Sequence, residues 1–234
     1  MKYYCYETDT AFTLCVDDVQ DARLEAVIEH MAWRKADDKF LMSYPHHAFP
    51  NQQEKELISD NFVRVGQAVF ESALNGFDWK KPLEMLAEVF SKSGIEWYIV
   101  GSAGDAVRGI DVKPFDIDIV IHTRDYWRVK DICYASFPDS VIAPFTSYAG
   151  EEPLEYFVCP LKYFGRLFLA GAMIDVAGDE TWNMENRKPP YEKISWNGYE
   201  IYVDALELRY KIEIARNRLD RIRAIEAYMN HGKQ

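Results

Sequence analysis

Two carboxylates, Asp116 and Asp118, stand two residues apart inside an apolar run of the sequence. Side chains alternate faces along a β-strand, so these two point the same way, with Cα atoms about 6.5–7 Å apart. Ile117 and Ile119 point to the other face, which is apolar and indicates core. Like charges on a buried strand raise each other's pKa and cost stability unless a cation lies between them. Because Mg²⁺ prefers oxygen ligands, the pair predicts a divalent-metal site.

A third carboxylate, Asp175, lies in the apolar run AGAMIDVAGD, far along the chain. An isolated Asp in such a run needs a partner. If its strand lies beside the strand of Asp116 and Asp118, three carboxylates converge. They can then hold two metal ions, or one metal ion and a base. The alternative is an ion pair with a buried arginine such as Arg166.

Gly101-Ser102 ends the apolar run that precedes these carboxylates. A strand that turns into a helix here leaves free N–H groups at the helix N-terminus, which bind phosphate together with the serine hydroxyl. Glycine also allows a phosphate to approach the backbone. The alternative is a simple helix start. Arg108 and Lys113, in the loop before Asp116, are further candidate phosphate contacts, although surface charge explains them equally well.

The segments Val100-Gly101-Ser102 and Asp116-Ile117-Asp118-Ile119 resemble the signature of the nucleotidyltransferase superfamily typified by DNA polymerase beta. In that signature an apolar residue precedes Gly and a Gly or Ser, and a segment of Asp, an apolar residue and Asp or Glu follows. The third acidic residue of the family lies on a later strand, and Asp175 is the natural match. Residues 206–228 are similar to the tail of bacterial small-molecule nucleotidyltransferases, at Lys211, Asn217, Arg218, Asp220 or Arg221, and Ile222.

The resemblance implies transfer of a nucleoside monophosphate from a nucleoside triphosphate to a hydroxyl of an acceptor, with release of pyrophosphate. The implied catalytic residues, which are also the implied ligands of Mg²⁺ or Mn²⁺, are Asp116, Asp118 and Asp175. The implied nucleotide contacts are Gly101, Ser102, Arg108, Lys113 and Lys211. Lys211 is alternatively a helix lysine whose stem lies along the protein surface.

Among known members, the chain is similar to aminoglycoside and lincosamide nucleotidyltransferases and to abortive-infection toxins. Two alternatives stay open. One is a module that binds nucleotides, or regulates a partner, with little or no turnover, and the other is a toxin that transfers nucleotides to tRNA. The acceptor is either a small molecule or a macromolecule, and a homodimer is compatible with the sequence.

The elements that must position these residues are those of an α+β fold. Strands over 11–15 and 39–43, with a helix between them, predict a small β-α-β accessory unit over residues 1–50. A nucleotidyltransferase-like domain over 54–234 follows, with a helical lead-in (54–93) and a mixed, helix-flanked sheet (96–203) that includes a strand at 154–159. An apolar stripe predicts one long C-terminal helix over 205–230, formed by Leu208, Ile212, Ala215, Leu219, Ile222 and Ile225.

The composition narrows the function classes. A formal net charge of −11 argues against extensive nucleic-acid binding, which needs a basic surface. The four cysteines are scattered without a CxxC pair, which makes a zinc site improbable and fits reduced thiols. The sequence begins without a basic segment followed by an apolar core, and it has no run of 18 apolar residues. These features predict a cytoplasmic protein that does not enter the membrane.

Overall fold

The computed structural model describes residues 1–31, 33–147, 163–179 and 191–231. The helices are α1 (Ala22–His30), α2 (Gln52–Asn75), α3 (Lys80–Ser93), α4 (Gly101–Arg108), α5 (Tyr126–Ser136), α6 (Leu206–Ala215) and α7 (Leu219–His231). The strands are β1 (Lys2–Glu7), β2 (Ala11–Asp17), β3 (Arg34–Ala36), β4 (Lys39–Pro45), β5 (Trp97–Val100), β6 (Ile117–His122), β7 (Val141–Ser147), β8 (Tyr163–Leu169), β9 (Ala172–Asp179), β10 (Tyr191–Trp196) and β11 (Tyr199–Asp204). No helix in these ranges combines the length and apolar character needed to cross a bilayer.

The N-terminal part is a four-stranded antiparallel sheet in the order β1-β2-β4-β3. It contains the predicted strand, helix and strand as β2, α1 and β4, and α1 begins where the Asp21 side chain accepts the Arg23 N–H. β1 and β3 were not predicted. All of their residues are partly buried or exposed, so neither strand has the clear apolar alternation that marks a half-buried strand.

The helical lead-in divides into α2 and α3, and the sequence marks both ends of α2. The Asn51 side chain accepts the Glu54 N–H at the start of α2, and Gly76 with φ 84° ends that helix. Helix α2 contacts β1 of the smaller sheet and β7 and β9 of the larger sheet. Because Leu14, Phe62 and Ile119 belong to one hydrophobic cluster, the two sheets share a core through α2.

The larger sheet has seven strands in the order β10-β11-β5-β6-β9-β8-β7. The pairs β11–β5 and β6–β9 are parallel, and the other neighbours are antiparallel. This mixed sheet with helices around it confirms the predicted fold class. The strand predicted over 154–159 lies outside the described residues.

The C-terminal segment is two helices rather than the single helix predicted over 205–230. Helix α6 ends at Ala215 with Arg216 as its C-cap, and Asn217 takes the left-handed conformation with φ 53°. The Arg218 N–H then bonds to the Glu213 carbonyl, which closes the last turn. Asn is one of the few residues besides Gly that adopt this conformation readily, so Asn217 is the stop signal that the apolar stripe concealed.

Candidate metal and nucleotide site

The register of the larger sheet brings the three predicted carboxylates together. Strands β6 and β9 are parallel neighbours in which Asp118 pairs with Asp175, and Asp116 directly precedes β6. One carboxylate oxygen from each of Asp116, Asp118 and Asp175 lies within 4.8 Å of the others. A ligand set made only of carboxylate oxygens is the type that Mg²⁺ and Mn²⁺ prefer.

The repulsion between the carboxylates of this cluster favours a bound cation. Burial, reinforced by the charge of Asp175, raises the pKa of Asp116 from its ordinary value of 3.8 to about 7. Burial, followed by the charges of Asp116 and Asp175, raises the pKa of Asp118 well above its ordinary value. The positive charge of Arg166 acts in the opposite direction on both carboxyls without cancelling the effect. A divalent ion among the three oxygens would remove the repulsion, so the cluster fits a metal.

Asp175 also forms the ion pair that was the alternative interpretation of its position. Arg166 lies opposite it in the β8–β9 register. The Arg166 Nε donates to Oδ1 at 2.6 Å and Nη2 donates to Oδ2 at 2.8 Å, and both side chains are buried. A carboxylate offers about four lone-pair sites, so this bidentate pair uses half of them. Asp175 can therefore keep Arg166 and still contribute an oxygen to a metal.

Gly101 and Ser102 stand beside the carboxylates, where β5 turns into α4. Strands β5 and β6 are antiparallel with Val100 opposite Asp118, so the turn begins one residue beyond that pair. Gly101 has φ 71°, and a Cβ added to it would lie 3.1 Å from Asp118 Oδ2. The turn thus needs glycine both for its backbone conformation and for its approach to the carboxylate. The predicted strand-to-helix transition at Gly101-Ser102 is present.

A buried carboxylate that the sequence reasoning missed, Asp204, lies next to this turn. It ends β11, is 3% exposed, and accepts a hydrogen bond from the Gly101 N–H. A Cβ at Gly104 would lie 3.1 Å from the Ile99 carbonyl oxygen and 3.3 Å from Asp204 Oδ1, which explains a glycine inside α4. Within the described residues, Oδ1 has no hydrogen-bond partner. Burial raises the pKa of Asp204 to about 7, against the opposing charge of Arg209.

Arg209 ties α6 to α4 through a buried ion network that the sequence reasoning also missed. Its Nη2 lies 2.8 Å from Asp105 Oδ2 and 2.6 Å from Glu213 Oε1, and its Nε lies 3.5 Å from Asp204 Oδ2. All four side chains are buried. The network fixes the helix that follows Gly101-Ser102, because α4 carries Asp105. The apolar stripe assigned α6 a different buried face, yet Arg209 and Glu213 are its buried residues.

The side chains of three further predicted nucleotide contacts are bonded to residues other than Asp116, Asp118 and Asp175. Arg108 is held by the Glu192 carboxylate and the Asp204 carbonyl. The Lys113 Nζ donates to the Asn75 carbonyl at 2.9 Å, at the end of α2. Lys211 is exposed and pairs with Glu207 one turn earlier in α6, at 2.7 Å. Phosphate binding by any of these side chains would require it to leave its present partner.

No protein-family model matches the chain, and no curated protein matches it at a significant level. Solved structures similar to it include a candidate nucleotidyltransferase from Thermotoga maritima, with 18% identity, 66% of this chain and 96% of that chain covered, and a TM-score of 0.45. Another is the lincosamide antibiotic adenylyltransferase LnuA with lincomycin bound, with 11% identity, 63% and 96% coverage, and a TM-score of 0.44. A third is an antigenic nucleotidyltransferase-like protein from Paracoccidioides brasiliensis, with 15% identity, 62% and 76% coverage, and a TM-score of 0.40.

Proposed function

We propose that this chain is a metal-dependent nucleotidyltransferase that transfers a nucleoside monophosphate from a nucleoside triphosphate to a hydroxyl of an acceptor. The observation that carries the proposal is the convergence of Asp116, Asp118 and Asp175 beside the Gly101-Ser102 turn. Carboxylates that repel each other and a glycine turn at a helix N-terminus are complementary to a metal-bound polyphosphate.

In this proposal Asp116 and Asp118 hold Mg²⁺ or Mn²⁺, with Asp175 as a third ligand. A bound divalent ion would supply neutralisation of the phosphate charge that develops during transfer. The Ser102 hydroxyl and the N–H groups of the first turn of α4 bind phosphate oxygens. The acceptor hydroxyl oxygen forms a bond to the α-phosphorus, the bond to pyrophosphate breaks, and the hydroxyl proton passes through solvent to the released pyrophosphate. Asp175 is poorly placed to accept the proton, because protonation would disrupt its bidentate pair with Arg166.

A second function, nucleotide binding with little turnover, is favoured by Asp204. Its carboxylate accepts the Gly101 N–H, a donor that the proposal would otherwise give to a phosphate. Two anions at one helix start repel each other. If Asp204 keeps that donor, a nucleotide would bind through the metal and Ser102 with a less constrained α-phosphate, and transfer would be slow.

Label transfer from α-labelled nucleoside triphosphates tests the proposal. The protein is incubated with Mg²⁺ or Mn²⁺, each of the four ribonucleotides, and an acceptor set containing aminoglycosides, lincosamides and total tRNA. We expect labelled acceptor and released pyrophosphate, both lost in the double variant Asp116→Ala, Asp118→Ala and retained in the exposed control Asp111→Ala. Transfer that persists in the double variant would refute the mechanism. Metal-dependent nucleotide binding without pyrophosphate release would favour the second function.

A further inference from the structure

The start of α7 places two arginines at the edge of the carboxylate cluster. Arg218 closes the turn between α6 and α7, and Arg221 lies in the first turn of α7. The Arg221 Nη2 donates to the Lys113 carbonyl at 3.2 Å, in the loop three residues before Asp116. The positive charges of Arg218 and Arg221 both lower the pKa of Asp116 against the larger effect of burial. Both arginines are therefore close enough to the carboxylate cluster for their charges to act on it.

Arg221 has a donor without an acceptor. Its Nη1 is buried and has no hydrogen-bond partner within the described residues, although the side chain as a whole is 19% exposed. Buried guanidinium nitrogens are almost always paired, because an unmet donor costs its full desolvation. An unpaired nitrogen at the edge of a candidate site indicates an acceptor that arrives with a ligand.

Arg218 is accessible to such a ligand. Its side chain is 44% exposed, and its Nη1 lies 3.6 Å from Glu213 Oε2, which is beyond hydrogen-bond length. A guanidinium presents five donors in a planar fork, and this fork matches the oxygens of a phosphate. Neutralising the carboxylates would explain positive charge here, but it would not explain a buried donor that contacts none of their oxygens.

We propose that Arg218 and Arg221 bind the β- and γ-phosphates of the nucleotide, and therefore the pyrophosphate that leaves. This proposal rests on the proposed function and deepens it. In this assignment the glycine turn holds the α-phosphate, a bound metal ion would neutralise phosphate charge, and the two guanidinium groups receive the leaving group. Both arginines are then specificity residues for the number of phosphates, since a nucleoside monophosphate would not reach them.

Isothermal titration calorimetry in Mg²⁺ with inorganic pyrophosphate, ATP and AMP tests this assignment. The variants are Arg218→Gln and Arg221→Gln, and the matched control is Arg223→Gln, which removes the same charge from an exposed position of α7. Loss of a charge-assisted contact weakens binding about 10-fold to 100-fold. We expect that loss for pyrophosphate and ATP in both variants, with AMP binding and the control changed less than about threefold.

Three results would overturn the assignment. Pyrophosphate binding that stays within about threefold of wild type in both variants would do so, and so would an equal loss in the control, which would indicate a general charge effect. Because Arg221 is partly buried, the thermal unfolding of Arg221→Gln is compared with that of wild type. If Arg221→Gln does not fold, pyrophosphate binding by Arg218→Gln alone decides the question. Absence of ATP and pyrophosphate binding to the wild-type protein would overturn both this assignment and the proposed function.

Discussion

Replacing Asp116 by asparagine should stabilise the metal-free protein at alkaline pH. The pKa of this carboxyl is about 7 in the folded chain and 3.8 ordinarily, because burial and Asp175 oppose its charge. The unfolded chain therefore loses the proton at lower pH than the folded chain. As pH rises from about 4 to about 7 the free energy of unfolding falls, and above that it levels off.

The size of the effect follows from the pKa difference. About three pKa units at 1.36 kcal/mol each give an upper limit of about 4 kcal/mol at pH 8. Asp116 is partly exposed, so solvent screening reduces this figure, and we expect a gain of about 1–3 kcal/mol for Asp116→Asn. The gain at pH 8 should exceed the gain at pH 5 by up to about twofold, because more of the folded carboxyl is protonated at pH 5.

Urea denaturation in EDTA at pH 5 and pH 8 measures this gain. Asp111→Asn is the matched control, because Asp111 is exposed in the loop before the cluster and the substitution removes the same charge. Saturating Mn²⁺ should then stabilise the wild-type protein more than Asp116→Asn, since the metal binds the ionised carboxylate. An Asp116→Asn variant that is less stable than wild type by the same amount at both pH values would refute the reasoning.

Three further predictions concern the surroundings of the cluster. Arg209→Met should cost about 3–5 kcal/mol in urea denaturation, because it leaves three buried carboxylates without their cation; a cost below about 1 kcal/mol would contradict the network. Gly101 and Gly94 both have left-handed backbones, at φ 71° and 64°, so Gly101→Ala and Gly94→Ala should each lower the free energy of unfolding by about 1–2 kcal/mol. Only Gly101→Ala should also weaken Mn²⁺ binding in calorimetry, because its Cβ would contact Asp118. Equal metal affinities in the two variants would contradict that contact. Mn²⁺ affinity should fall by up to about tenfold per pH unit below pH 7 as Asp116 takes up a proton, and a flat profile from pH 8 to pH 5.5 would exclude Asp116 as a ligand.

The sequence alone predicts the part of the site that follows from the geometry of a single strand and from the cost of burying a charge. Strand alternation placed Asp116 and Asp118 on one face, and an aspartate inside an apolar run marked Asp175 as needing a partner. Which partner it has is a question of strand order, and local periodicity carries no information on strand order. The structure places β9 between β6 and β8, so Asp175 has Asp118 on one side and Arg166 on the other.

The C-terminal part shows where periodicity misleads. The apolar positions there follow a helical spacing, yet Ala215 and Leu219 are exposed, and Arg209 and Glu213 are buried. Charged residues are buried when partners from distant segments neutralise them, and here the partners are Asp105 and Asp204. No local pattern reveals such a network. Arg209 and Glu213 at a spacing of four were the available signal, and the spacing equally fits an exposed surface pair.

A crystal structure with Mn²⁺ and a non-hydrolysable nucleoside triphosphate, in which anomalous scattering locates the metal, tests the proposed metal and nucleotide site most directly. We expect a manganese peak coordinated by Asp116 and Asp118, with the triphosphate beside Gly101 and Ser102. Manganese and nucleotide bound elsewhere, with the carboxylate cluster free of metal at saturating concentrations of both, would contradict it.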